Sequence, residues 1–400
     1  MFKNNWKSLF PIFKINSELT YFDSAATSLK PKKVINAINK FYNFNGISFK
    51  NAGFLSQQVE KLIKETRFLT AAFINASSEE IIFTKGTTES LNIISNILGK
   101  KIKPNDEIIT SELEHNSSLF PWIKVAQEQK AKIIFIPLDK NNRITINNFK
   151  KVLSDKTKIV VINHVSNVLG YETPIESITK LAHNKNALVI LDAAQSISCK
   201  KIDVKKINID FMAFSAHKMY GPFGVGILFG KKKILKKLDP LFVGSLNIKK
   251  IFDKKFFFKN LPLKFETGTP NISGIIAFKE SLKLIQKIGF DNIQIHNQII
   301  INKIKTELKK INNIEVLNNN NNNNIILCNS KYIHIHDLET FLVNNNVYLR
   351  TGQYCSDLIL KKIKKKNTIR ISVGIYNDEK DIANLIRSLK EASIFFKNNK

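Results

Sequence analysis

The chain has 400 residues, 43% of them hydrophobic, which excludes a single small module and predicts two or three domains, or one large domain with a smaller partner. No stretch approaches the roughly 18 uninterrupted apolar residues of a membrane span, and three scattered cysteines, Cys199, Cys328 and Cys355, exclude a disulfide framework or a zinc site and fit a reducing, cytoplasmic setting. The net charge of +29 invites a nucleic-acid reading, but only five of the 62 basic residues are arginine (Arg67, Arg143, Arg350, Arg370 and Arg387), so the charge reads as compositional drift towards A/T-rich codons and each scarce arginine as a candidate for work that lysine does poorly.

The opening MFKNNWKSLFPIFK has lysines but neither the apolar core nor the small-residue cleavage site of a targeting segment. From about residue 20 to 240, short β-rich runs alternate with amphipathic stretches. Ile81–Phe83, Ile108–Ile109, Ile133–Ile136, Ile159–Ile162, Leu188–Leu191 and Phe211–Phe214 predict strands. Pro174–His183 predicts a helix, with Thr173 as its cap and Pro174 in its first turn. Strands buried on both faces and joined by helical crossovers predict an α/β layer fold with a mostly parallel sheet. Lys231–Lys264 reads as loops and short elements, and a helical pattern runs from about Ser273 to Ile311. The unbroken Asn318–Asn324 run reads as a surface loop rather than a site. Strands near Ile325–Leu327 and Ile369–Val373, with a last helix from Asp378, predict a separate α+β domain. There is no internal repeat.

Three motifs carry chemistry. In Phe83-Thr84-Lys85-Gly86-Thr87-Thr88-Glu89-Ser90 a strand ends and Thr87-Thr88 open a helix. A helix start offers free N–H groups to a phosphate, although an ordinary threonine cap reads the same way. Asp192 comes at the carboxyl end of a buried strand, where ligands bind in open α/β sheets; it suits a cationic partner, or simply caps the next helix. Lys218 comes just after another apolar strand, with Ser215 and His217 beside it. Partial burial favours the neutral amine that covalent chemistry with a carbonyl needs. Together, a phosphate cradle, a carboxylate for a pyridinium nitrogen and a reactive lysine form the parts of a pyridoxal phosphate site.

These motifs, with Tyr21-Phe22-Asp23-Ser24-Ala25-Ala26-Thr27, Glu114-His115, His164-Val165-Ser166-Asn167, Phe265-Glu266-Thr267-Gly268-Thr269-Pro270-Asn271, Arg350-Thr351-Gly352-Gln353-Tyr354-Cys355 and Arg370-Ile371-Ser372, resemble the class V aminotransferase family, and within it the SufS-type cysteine desulfurases. The resemblance runs nearly end to end. It implies fold type I: a large domain over residues 18–290 with a mostly parallel seven-stranded sheet between helices, and a smaller α+β domain from 1–17 and 291–400. It implies pyridoxal 5'-phosphate, with Lys218 as the lysine that holds it and the base at the substrate Cα. It implies Asp192 at the ring nitrogen, Asn167 and Gln195 near the phenolic oxygen, His115 stacked on the ring, and Thr87, Thr88, Ser215 and His217 at the phosphate. Thr269 would reach a neighbouring subunit's phosphate, which implies a homodimer.

The same resemblance makes Cys355 the residue that takes sulfur from L-cysteine, leaving L-alanine and passing the sulfur to an acceptor of the SufE or SufU type for iron–sulfur cluster assembly. A free cysteine is most often a small buried hydrophobe, but Cys355 sits in a polar loop where a thiol can be activated. Arg370, with Arg350 and Asn167, would bind the substrate; a guanidinium fork suits a carboxylate bidentately. His164, Cys199 and Cys328 read as structural, and no metal ligands or specific nucleic-acid contacts are expected. The chain departs from the family at Gln353-Tyr354, where a His-His pair is usual, at Lys50-Asn51-Ala52-Gly53 in place of His-Arg-Gly, and at Phe242-Val243-Gly244-Ser245. Alternatives are a selenocysteine lyase or another class V reaction, a basic nucleic-acid-binding protein, and an inactive scaffold.

Overall fold

The computed structural model describes residues 6–49, 51–318 and 323–398. Lys50, the first residue of the unusual Lys-Asn-Ala-Gly segment, lies outside them. The chain forms two compact units, one from residues 33–164 and 173–287, the other from 1–32, 165–172 and 288–400. Among the described residues no helix is long and apolar enough to cross a membrane.

The larger unit is built on seven strands: β1 (Ile81–Thr84), β2 (Glu107–Thr110), β3 (Lys132–Phe135), β4 (Thr157–Asn163), β5 (Leu188–Asp192), β6 (Phe211–Ser215) and β7 (Gly226–Gly230). Their order across the sheet is β1-β7-β6-β5-β4-β2-β3. β7 runs antiparallel to both its neighbours and the other pairings are parallel. Every residue of β6 is buried, which is why it spells an apolar run rather than an alternation. Ile82, Ile108, Val161, Ile190, Ala213 and Leu228 share one core with Trp122 and the Thr87–Gly99 helix.

All six sequence-predicted strands form within about two residues. β7 was not among them, because the surrounding glycines mask its short apolar run. The expected helix at 174–183 runs from Ile175 to His183, with Pro174 at the cap position and no side-chain capping bond. The lysine-rich stretch contains an antiparallel hairpin, Ile248–Phe252 with Lys255–Phe258. Both its strands are mostly exposed, so neither has a dry face to impose alternation. The long helical pattern is two helices, Ile272–Ile288 and Phe290–Leu308, separated by Gly289 at φ 85, a conformation that favours glycine.

The smaller unit holds a four-stranded antiparallel sheet of β8 (Ile314–Val316), β9 (Ile325–Ser330), β10 (Arg350–Thr351) and β11 (Thr368–Ser372), in the order β8-β9-β11-β10. Its core gathers Ile300, Ile304, Ile326, Leu338, Ile371 and Leu385. Two segments that the expected boundaries assign to the large domain group here instead. Thr20–Tyr21 pairs in parallel with Val347–Tyr348, and residues 165–172 form a turn tied to this unit's own residues.

The asparagine run corrects its reading as a surface loop. Residues 319–322 lie outside the described ones, but Asn318, Asn323 and Asn324 are buried. Asn318 donates to Leu169 and Ile325 carbonyls and accepts from the Leu327 N–H. Asn323 donates to the Gly170 carbonyl and Asn324 to that of Val373. Amide side chains survive burial here because each finds backbone partners.

Candidate active site

In the larger unit the expected residues gather at the carboxyl ends of the strands. Thr87 begins a helix of 13 residues, and its N–H donates to the Ser215 hydroxyl at 2.7 Å while its own hydroxyl lies 2.7 Å from the same oxygen. A Cβ on Gly226 would come within 2.4 Å of the Gly86 backbone. Only glycine therefore lets β7 close against the loop that carries this donor cluster. Thr88 shares a hydrogen bond with Ser117 at 2.8 Å, and Ser117 donates its N–H to Nδ1 of His115, which caps the Asn116–Gln129 helix. The Thr87, Thr88 and His115 positions are thus linked by short contacts.

Asp192 ends β5 and is buried; its Oδ1 accepts the Ala194 N–H at 2.9 Å. Burial pushes its carboxyl up, while that N–H and the Lys218 charge pull it down. Lys218 closes the short turn Ala216–Lys218 after β6, the neighbouring strand. Gln195 is buried, and the His217 ring stacks on Phe223 at 5.6 Å. Thr269 is exposed, on a segment fastened by Glu266, which pairs with the buried Arg67 at 2.6 and 2.9 Å and accepts the Phe83 N–H.

These residues fit pyridoxal phosphate. The Thr87 N–H and the Thr87 and Ser215 hydroxyls make a donor cup at a helix start for a dianion. Asp192 is a buried carboxylate suited to a protonated ring nitrogen, and Lys218 is coupled to it electrostatically.

In the smaller unit Arg370 is buried and Arg350 exposed, directly opposite each other across β10 and β11. Arg370 donates Nη2 to Asp23 Oδ1 at 2.9 Å and Nη1 to the Asn167 carbonyl at 3.1 Å, and its guanidinium lies 5.1 Å from the Tyr354 ring centroid. The Asn167 side chain donates to the Tyr354 carbonyl at 2.9 Å and accepts from the Ser356 hydroxyl at 3.0 Å. Cys355 lies between those two residues and is the one exposed cysteine; Cys199 and Cys328 are buried.

Sequence reasoning missed Glu114, Asp23 and Ser356 as site residues. Glu114, next to His115, accepts from the Ser111 hydroxyl at 2.7 Å, from the Asn163 amide at 3.1 Å and from the Ser118 hydroxyl at 3.2 Å. Burial pushes its pKa up to about 8, and the nearby Asp192 charge adds to the rise. The only sequence signal was its place in the Glu-His pair. Because the folded value exceeds the unfolded one of 4.5, the folded state binds the extra proton. The stability it contributes is complete below the unfolded value and is lost as pH rises through the folded one. Glu114→Gln, neutral throughout, should remove up to about 1.4 kcal/mol per pH unit of the decline in stability between those values. Denaturant melts from pH 4 to 9 test this; equal slopes in both proteins would acquit Glu114.

Comparison with known proteins places these features in context. The family model "Aminotransferase class-V" matches residues 20–385. A cysteine desulfurase of Wigglesworthia glossinidia brevipalpis is 40% identical, over 98% of this chain and 97% of that protein. A probable cysteine desulfurase of Halalkalibacterium halodurans is 36% identical, over 98% of each. Among solved structures, a cysteine desulfurase from Escherichia coli superposes with a TM-score of 0.91 at 28% identity, covering 98% of each chain. The apo cysteine desulfurase from Thermococcus onnurineus superposes with a TM-score of 0.93 at 29% identity, covering 99% of each.

Proposed function

Since this chain belongs to the aminotransferase class-V family and is a pyridoxal phosphate-dependent cysteine desulfurase, we propose that it converts L-cysteine to L-alanine with the sulfur left as persulfide on Cys355. The observation that carries the residue assignment is the exposure of Cys355, alone among three cysteines, in a loop tied to buried Arg370 through Asn167.

When bound, pyridoxal phosphate supplies an electron sink for the pair left at the substrate Cα. The residues divide the remaining work. Thr87, Thr88, Ser215 and His217 hold the phosphate. Asp192 favours a proton on the ring nitrogen, and His115 and Gln195 orient the ring. Lys218 would hold the cofactor covalently and would serve as the base that takes the proton from the substrate Cα. Arg370 orients the substrate carboxylate with a planar fork that lysine lacks, with Arg350 and Asn167 assisting. The Cys355 sulfur then attacks the substrate sulfur: a sulfur–sulfur bond forms and the substrate carbon–sulfur bond breaks. The carbon skeleton keeps the electron pair and is protonated to alanine. No external oxidant or reductant enters.

The SufS-type assignment, the homodimer through Thr269, and a cytoplasmic setting belong to the same proposal. The sulfur passes to a SufE- or SufU-type acceptor for iron–sulfur cluster assembly, and the +29 charge suits an acidic acceptor. Turnover of L-cysteine, L-selenocysteine and an amino acid/keto acid pair, each with product analysis, tests the reading. Alanine and acceptor-dependent sulfur release from L-cysteine at the highest kcat/KM is the expected result. Preference for selenocysteine, or transamination without alanine from cysteine, would replace it.

A further inference from the structure

The Thr351–Ser356 loop is held at several points. Gly352 donates its N–H to the Thr368 carbonyl and accepts from the Thr368 hydroxyl, and Thr351 donates to Glu339. Beyond Gln353 the loop turns to Asn167. Its side-chain amide bonds the residues on both sides of the cysteine, donating to the Tyr354 backbone carbonyl at 2.9 Å and accepting from the Ser356 side-chain hydroxyl at 3.0 Å. Tyr354, Ser356 and Asn167 are buried while Cys355, between the first two, is exposed.

Three further features single this contact out. Cys355 has φ 54, a left-handed conformation that is uncommon for a residue with a Cβ. Ser356 stands at the N-cap of the Asp357–Ile363 helix, yet makes no side-chain cap bond there. Its hydroxyl, which would ordinarily satisfy a helix N–H, is spent on Asn167 instead. Asn167 in turn sits on a fastened turn. Ser166 accepts the Val168 and Leu169 N–H groups on its hydroxyl, and Gly170 donates to the Ser166 carbonyl. The buried ends of the asparagine run hold the Leu169 and Gly170 carbonyls.

We propose that Ser356 is a positioning residue: with Asn167 it clamps the residues on either side of Cys355, holding the thiol outward in the conformation from which it takes sulfur. The clamp on the thiol stands on geometry alone; its bearing on sulfur transfer rests on the function proposed above.

The test is alkylation of the holoenzyme by iodoacetamide, read by peptide mass at each cysteine, beside persulfide formation from L-cysteine. Ser356→Ala removes one hydrogen bond of the clamp. It should raise the Cys355 alkylation rate and lower kcat for persulfide formation, each by roughly threefold to tenfold, the population shift one hydrogen bond supports. KM and cofactor absorbance should stay as in the wild type, and the buried Cys199 and Cys328 should remain unmodified. Ser356→Thr keeps the hydroxyl and should restore both rates. Unchanged alkylation in Ser356→Ala overturns the clamp, and faster alkylation with unchanged kcat overturns its role in transfer. If Cys199 and Cys328 also react, the variant has unfolded, and Asn167→Asp, which loses the amide donor to Tyr354, decides on the same alkylation readout. If wild-type Cys355 never gains sulfur, the proposed function fails, and with it the role in transfer, while alkylation still judges the clamp.

Discussion

Cys355→Ala should keep the visible absorbance of bound cofactor while persulfide and alanine formation fall at least about a thousandfold, the scale of losing a nucleophile that forms the covalent intermediate. The effect is large because no other thiol can substitute. Cys199 and Cys328 are buried, and burial pushes the Cys328 thiol up to about 12, so it stays protonated at neutral pH. The proposed phosphate and ring contacts lie on other residues, so the spectrum should not track the activity down. Mass analysis for persulfide and an alanine assay with acceptor present decide the matter. Wild-type turnover in the variant would remove Cys355 from the mechanism.

Lys218→Ala should cost more, at least about 10⁴-fold in turnover, since in the proposed mechanism one side chain both tethers the cofactor and moves the Cα proton. The absorbance should also be lost on desalting, because only the non-covalent donors around Thr87 and Ser215 remain. Lys218→Arg should not rescue, because a guanidinium stays protonated. A second consequence falls on Asp192. The Lys218 charge opposes the upward push of burial on that carboxyl, so its removal should leave Asp192 more protonated and less able to favour a proton on the ring nitrogen. A variant that keeps its colour through desalting and still makes alanine would assign the tether to another amine.

How much of the fold and site could be read in the sequence depended on whether the signal was local. Asp192 and Lys218 stood out because a charged residue just after a fully apolar run is conspicuous, and parallel strands buried on both faces spell such runs. The Thr87 cup was legible from an equally local signal, a strand end followed by Gly86 and a helix start. The clamp was not. Asn167 is far in the chain from Tyr354 and Ser356, and Ser356 resembles any helix-capping serine until its hydroxyl is seen on Asn167. Residues 165–172 were assigned to the large domain by their position in the chain, whereas hydrogen bonds to Asn318 and Asn323 place them with the other unit. Compositional bias hid those asparagines: a repeated residue looks interchangeable, although backbone partners make three of them individual. Glu114 was hidden because its significance lies in burial beside Asp192, which no spacing rule expresses.

The strand order has a consequence for the ribosome. Among the described residues β1 pairs only with β7, so Ile81–Thr84 leaves the exit tunnel long before Gly226–Gly230 exists to receive it. At about 5–20 residues per second the wait is on the order of ten seconds. Thr20–Tyr21 waits longer still, since its partner is Val347–Tyr348. Two strands are thus born before their mates, and vectorial synthesis leaves the apolar Ile81–Thr84 sticky and both unsheltered. The nascent chain should therefore be a steady client of holdase chaperones until its last third emerges.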